Sequence, residues 1–181
     1  METYPCFIDF EASGLGGDTY PIEVAWSLPD GAVKESLILP LGTWTYWDTN
    51  AEKIHGINRM DILRHGRPAS EICSDLIRDL AGQAVFCDGG LCDAGWLNQL
   101  LDAGTVEKCP FQLCYCIPDC FFPAPPPETV NILQKQAWKS VGKRHRAGTD
   151  VRWYLEYLRE GRAAGYRDDV AGSLARGRFA L

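Results

Sequence analysis

Asp9 and Glu11 flank Phe10 in the segment Ile8-Asp9-Phe10-Glu11. On an extended strand side chains alternate, so both carboxylates leave the same face, about 7 Å apart at Cα. Two like charges so placed repel unless a cation bridges them, and burying either one unpaired is costly. Hard oxygen ligands on one face suit Mg2+ or Mn2+. The pair by itself is equally compatible with a solvated strand end, or with the acid and base of a glycoside hydrolase. Asp93 and Asp150 also have two readings, since each stands near a helix start, where an acidic side chain caps the helix or complements its dipole. His145 lies five residues before Asp150, in His145-Arg146-Ala147-Gly148-Thr149-Asp150. An imidazole, with an ordinary pKa of about 6.5, is suited to general-base work at neutral pH.

Taken in order, these residues resemble a known family. Ile8-Asp9-Phe10-Glu11-Ala12-Ser13-Gly14-Leu15 is similar to the first motif of the DEDDh 3'-5' exonucleases, a group that includes polymerase proofreading subunits and oligoribonuclease. Asp93, followed by Trp96-Leu97, resembles the second motif, and His145 to Asp150 the third, H-x-A-x-x-D. Ile54-His55-Gly56-Ile57 resembles a segment these enzymes carry after their third strand. A related subgroup has tyrosine four residues before the last aspartate, where Arg146 stands here, so the His subtype is indicated. One departure is evident: the second motif usually has Asn-Ala and an aromatic before its aspartate, and here Gly89-Gly90-Leu91-Cys92 takes that place. Asp88 thereby competes with Asp93, but only Asp93 is followed by the expected helix.

The resemblance implies a ribonuclease H-like α/β fold: a mixed five-stranded sheet in the order 3-2-1-4-5, strand 2 antiparallel, with helices on both faces. It implies that Asp9, Glu11, Asp93 and Asp150 hold two divalent ions, Mg2+ or Mn2+, with His145 as the base that takes a proton from the attacking water. Ala12, Ser13 and Leu15 would approach the terminal nucleotide, Leu15 wedging against a base, and His55 and Ile57 would line the same pocket. The implied activity is 3'-5' exonucleolytic hydrolysis of single-stranded or frayed DNA or RNA ends, releasing nucleoside 5'-monophosphates. A catalytically weak nucleic-acid-binding or partner-binding module of the same fold is the alternative. Trp44, Tyr46 and Trp47 suit base stacking or core packing, and His65 reads as a surface residue.

The elements that must position these groups follow from pattern. Tyr4 to Phe10, Ile22 to Leu28 and Glu35 to Leu39 read as strands, with Pro29-Asp30-Gly31 predicting a hairpin turn between the last two. Pro68 to Ala81 reads as a helix with Ile72, Leu76, Ile77 and Leu80 on one face, and Ala84 to Cys87 as a short buried strand. Asp93 opens a helix that stops before Gly104, and Gln112 to Ile117 is a fifth strand. The prolines from Pro123 to Pro127 predict a stiff loop, followed by a helix over Glu128 to Ser140. Thr149 is expected to cap a last helix whose buried face is Val151, Tyr154, Leu155 and Leu158.

Length and charge are consistent with this plan. A chain of 181 residues, 46% apolar and 23% charged, suits one soluble domain, read as residues 1–165 followed by a basic, partly disordered end at 166–181. The net charge of −6 conceals an asymmetry: residues 1–134 hold 7 Lys/Arg against 19 Asp/Glu, and residues 135–181 hold 11 against 5. Ions bound by the acidic body reverse its local sign, so a phosphodiester is an admissible partner. Lys139, Lys143, Arg144, Arg146 and Arg152 form the basic contribution around the third motif. With no export signal or membrane-spanning run, a cytoplasmic location is expected; a second copy or a polymerase-like protein as partner is left open. Cys109, Cys114, Cys116 and Cys120 are spaced irregularly for zinc, and free thiols, a zinc site and a disulfide all remain readings.

Overall fold

A computed structural model describes residues 2–115, 121–122, 126–142 and 144–169. Strands β1 (Cys6–Ala12), β2 (Pro21–Ser27) and β3 (Val33–Leu37) form an antiparallel meander. Next come α1 (Thr49–His55), α2 (Arg59–His65) and α3 (Ala69–Leu80), then β4 (Ala84–Cys87), α4 (Leu91–Ala103) and β5 (Gln112–Tyr115). Helices α5 (Pro127–Val141) and α6 (Ala147–Ala163) complete the described elements. The sheet order is β3-β2-β1-β4-β5, with β4 parallel to β1 and β5 parallel to β4, as the sequence reading expects. The β2–β3 turn closes through Gly31 N–H on the Leu28 carbonyl, while the Asp30 side chain accepts from Ala32 N–H. Gly31 there has φ of +84°, a conformation that suits glycine.

The alternation of β1 decides where the site can be. Cys6, Ile8 and Phe10 pack with Ile72 and Leu76 of α3 and Leu97 and Leu100 of α4. Phe7 faces the other way, into a layer built from Leu133 and Ala137 of α5 and Val151, Tyr154 and Leu158 of α6. Asp9 and Glu11 share the parity of Phe7 and therefore the α5/α6 side of the sheet. A bulge between Glu11 and Ala12 ends the regular pairing with β2 immediately after the second carboxylate.

Several boundaries depart from the sequence reading. The short helices α1 and α2 are not foreseen there; Asp48 and Asn58 cap them with side-chain bonds to Asn50 N–H and Met60 N–H. Helix α4 starts at Leu91, two residues before Asp93, and α6 starts at Ala147, so Thr149 is inside the first turn and caps nothing. Cys109 packs in the α3/α4 layer and Cys114 in the α5/α6 layer, so these two thiols face different cores. Cys116, Cys120, Lys143, Pro123 to Pro125 and the end from residue 170 onward lie outside the described residues. Of the C-terminal end, Asp168 pairs with Arg162, and Tyr166 packs on Phe122. Among the described residues no helix is long and apolar enough to cross a membrane.

Candidate active site

Four elements deliver carboxylates to one point on the α5/α6 side of the sheet. β1 supplies Asp9 and Glu11, the turn after β4 supplies Asp88, the first turn of α4 supplies Asp93, and the first turn of α6 supplies Asp150. Oxygens of Asp9, Glu11 and Asp150 lie within 4.8 Å of one another, and so do those of Asp9, Asp88 and Asp93. Asp9 belongs to both groups, which makes it the hinge of the arrangement. Asp88 and Asp93, rivals in the sequence reading, thus stand side by side around it.

Local bonds fix each group. The Asp93 carboxylate reaches back to accept from Gly89 N–H at 2.9 Å and also takes the Cys87 thiol. The Tyr154 hydroxyl hydrogen-bonds Asp88. Asp150 Oδ2 accepts from the backbone N–H of His145 at 3.1 Å, holding the loop before α6 against the cluster. His145 has φ of +63°, unusual for a residue with a Cβ, and its side chain is exposed on the cleft.

The electrostatics are those of carboxylates without enough positive charge nearby. Burial, then the Asp93, Asp150 and Glu11 charges, raises the Asp9 pKa well above the ordinary carboxylate range. Glu11 is pushed up to about 8 by burial and by Asp150 and Glu23, with Arg146 opposing. Burial raises Asp93 to about 7, against the bond from Gly89, and Asp150 to about 6, against the nearby His145. Compact sets of hard oxygens whose charged forms lack compensation fit divalent cations such as Mg2+ or Mn2+.

The cleft over these groups, about 280 Å³, is walled by Trp138, Trp153 and Tyr154 and edged by Arg144 and His145. A second cavity of about 270 Å³ shares Phe10, Glu11 and His145 with it and continues over Ala12, Leu15, His55 and Trp96. Leu15 is 79% exposed at its rim. His55 is buried; its Nδ1 accepts from Ile57 N–H at 2.9 Å, and its Nε2 has no partner among the described residues. Because Nδ1 accepts, the ring proton belongs on Nε2, leaving one unused donor beside the cavity, and burial lowers the His55 pKa.

Ser13 and Ile57, expected beside Ala12, Leu15 and His55, do not line this cavity themselves. Ser13 is buried with its hydroxyl accepting from Tyr20 N–H, and Ile57 packs in a small core with Tyr20, Ile22 and Ile62. Of the aromatic trio, Trp44 is stacked on Tyr20, Trp47 donates to Glu52 and meets the His55 ring edge-on, and Tyr46 is exposed. His65 is on the surface. Glu23, outside every motif singled out in the sequence, is 2% exposed on β2 and held by Arg146 and Ala147 N–H. Its signal in the sequence is a carboxylate inside the apolar run Ile22-Glu23-Val24, where burial requires a partner.

No protein-family model and no curated protein matches the chain by sequence. Solved structures do match by shape. A full-length 3'-exonuclease superposes with a TM-score of 0.66 at 17% identity, covering 92% of this chain and 84% of that one. A 3'-exonuclease described in 3'-end-specific recognition of a histone mRNA stem-loop gives a TM-score of 0.62 at 18% identity, with coverages of 92% and 84%. A moderately thermophilic Exonuclease I from Methylocaldum szegediense gives 0.61 at 15% identity, over 87% of this chain and 40% of that one. What the chain shares with these exonucleases is the ribonuclease H-like fold, with its five strands in the order 3-2-1-4-5.

Proposed function

We propose that this chain is a metal-dependent 3'-5' exonuclease that hydrolyses the terminal phosphodiester of single-stranded DNA or RNA and releases nucleoside 5'-monophosphates. The observation that carries this reading is the convergence of four carboxylates on a fifth, Asp9, in two overlapping oxygen sets, with His145 at the edge of the same cleft. The shared fold supports it, as does the presence among the structural neighbours of a 3'-exonuclease that recognises a histone mRNA stem-loop.

Asp9, Glu11 and Asp150 would hold one divalent ion, and Asp9 with Asp93, assisted by Asp88, a second. Bound ions of this kind polarise phosphoryl oxygens and make water a stronger acid. His145 then acts as the general base toward the attacking water, its position set by the bond from its N–H to Asp150. The 3'-terminal nucleoside occupies the second cavity, with Leu15 and Ala12 against the base and the His55 Nε2–H as a donor to an oxygen of the nucleoside. The catalytic domain spans residues 1–165 on this reading.

The test is direct. Incubated with a short end-labelled single strand in Mn2+, the wild-type protein shortens the strand from its 3' end, and Asp9→Ala does not. Undiminished cleavage by the variant would exclude this mechanism, and strand binding without cleavage by the wild type would favour a binding module of the same fold.

A further inference from the structure

Arg144 behaves unlike its neighbours. Arg146, Arg152, Arg159 and Arg162 each hold a carboxylate. Arg144 lines the same cleft as Asp9, Glu11, Asp88 and Asp150, yet among the described residues it forms no ion pair with any of them. Its guanidinium carbon instead sits 4.5 Å from the centroid of the Trp138 ring. Trp138 is stacked on Trp153, with centroids 5.0 Å apart and planes 17° from parallel, and Trp153 is stacked in turn on the buried Tyr157. A column thus runs from an exposed guanidinium down to a core ring.

The column fixes what the guanidinium can do. Held over the ring by a cation–π contact, the guanidinium has N–H groups that the ring does not use, and its planar fork matches two oxygens of a phosphate. Much of the side-chain entropy that binding would cost is already spent on the ring. Three of the carboxylates around the cleft have partners of their own, Asp93 in Gly89, Asp150 in the His145 backbone and Asp88 in Tyr154, and Arg144 acts on Asp150 through space without pairing with it.

The two cavities indicate which phosphate arrives there. They meet at Glu11 and His145, one continuing toward Leu15 and His55 and the other toward Trp138 and Arg144. A strand whose 3'-terminal nucleoside fills the first places its scissile linkage over the junction and its next linkage in the second. Resting on the exonuclease reading above, we infer that Arg144, seated over the Trp138 ring, binds the phosphodiester one nucleotide upstream of the scissile one. It thereby makes the enzyme prefer strands of three or more nucleotides over dinucleotides, which lack that linkage.

The experiment compares kcat/KM for a trinucleotide and a dinucleotide, both without 5' phosphates, in wild type and Arg144→Gln. The ratio favours the trinucleotide in wild type and falls about tenfold in the variant, mostly through KM, as expected for loss of one charge-assisted contact. Replacing only the upstream linkage by a neutral methylphosphonate costs the wild type a similar factor and the variant nothing further. Trp138→Leu, which removes the platform, lowers the ratio in the same direction. If Arg144→Gln slows both substrates equally, the guanidinium serves the scissile phosphate or the fold, and the inference is overturned while the exonuclease reading stands. If active wild type shows no preference for the trinucleotide, it is likewise overturned. If wild type cleaves neither in Mn2+, the exonuclease reading fails and takes this inference with it.

Discussion

Arg146 and Glu23, 123 residues apart, form a bidentate pair in which Nη2 lies 2.5 Å from Oε1 and Nε 3.1 Å from Oε2. The Glu23 carboxylate also accepts from Ala147 N–H at 3.0 Å, so a residue of β2 terminates the backbone of α6. Glu23 stands opposite Glu11 in the β1–β2 register, and Arg146 shields one from the other. Glu23→Gln removes the charge and keeps the shape; it is expected to lower stability by about 1.5–3 kcal/mol, the range for a hydrogen bond to a charged group. Arg146→Met leaves Glu23 buried without its main partner and is expected to cost more, and the double variant to recover part of the loss. Urea unfolding of the three variants checks this, and three equal midpoints would mean that the pair is incidental.

His145 lies directly before this anchor, with its φ of +63° held between Arg146 and the bond to Asp150. A backbone in that region costs a residue with a Cβ of order 1–3 kcal/mol. His145→Gly should therefore leave stability equal or up to about 1 kcal/mol higher, since glycine adopts that conformation freely. The same variant is expected to lose about 10²–10⁴ in kcat, the contribution of a positioned general base. Thermal unfolding and single-turnover kinetics on one preparation separate the two effects, and a variant that is unstable but fully active would contradict both halves.

The period of β1 makes the Asp9–Glu11 pairing legible, and α3 and the buried faces of α4 and α6 follow from apolar spacing, whereas the strand order follows only from the resemblance of the motifs. What escaped has physical causes. Helices α1 and α2 have seven residues each, too few for a periodic face, and only their caps at Asp48 and Asn58 announce them. Thr149 reads as a cap because it is local, but the first N–H of α6, that of Ala147, finds Glu23, a partner that only the tertiary fold brings near. Asp88 joins the cluster because the Gly89-Gly90 turn folds it back, and that turn is where the second motif departs from its usual form. Gly90, with φ of +58° and ψ of −121°, makes the turn possible.

Gly89 has a stricter reason for being glycine. A Cβ built on it would lie 2.5 Å from Asp93 Oδ1 and 2.6 Å from its Cγ, closer than real contacts allow. Gly89→Ala is expected to displace the Asp93 carboxylate from its place beside Asp9. A displacement near 1 Å of a group that holds the reacting centre typically costs about a hundredfold in rate. The expectation is that loss in kcat with a raised Mn2+ requirement, measured by titrating the metal at saturating strand. An alanine variant with wild-type metal dependence would show that Asp93 is not a ligand.

Removing divalent ions should tie stability to pH through the same carboxylates. Glu11 is raised to about 8, Asp93 to about 7, Asp150 to about 6, and Asp9 well above its ordinary value, all chiefly by burial. A folded-state carboxylate that holds its proton more tightly than the unfolded chain does contributes stability fully present below about pH 4, the unfolded value, and lost as pH rises through the folded one. In EDTA the melting temperature is therefore expected to fall between pH 6 and pH 8. Cations favour the ionised forms and compete with those protons, so the gain in melting temperature on adding Mn2+ should grow over the same interval, with proton release on binding. Asp9→Asn removes the carboxylate common to both oxygen sets, and it is expected to raise the pH 8 melting temperature in EDTA while abolishing most of the Mn2+ gain. A Mn2+ gain that stays flat from pH 6 to pH 8 would place the cation away from these carboxylates.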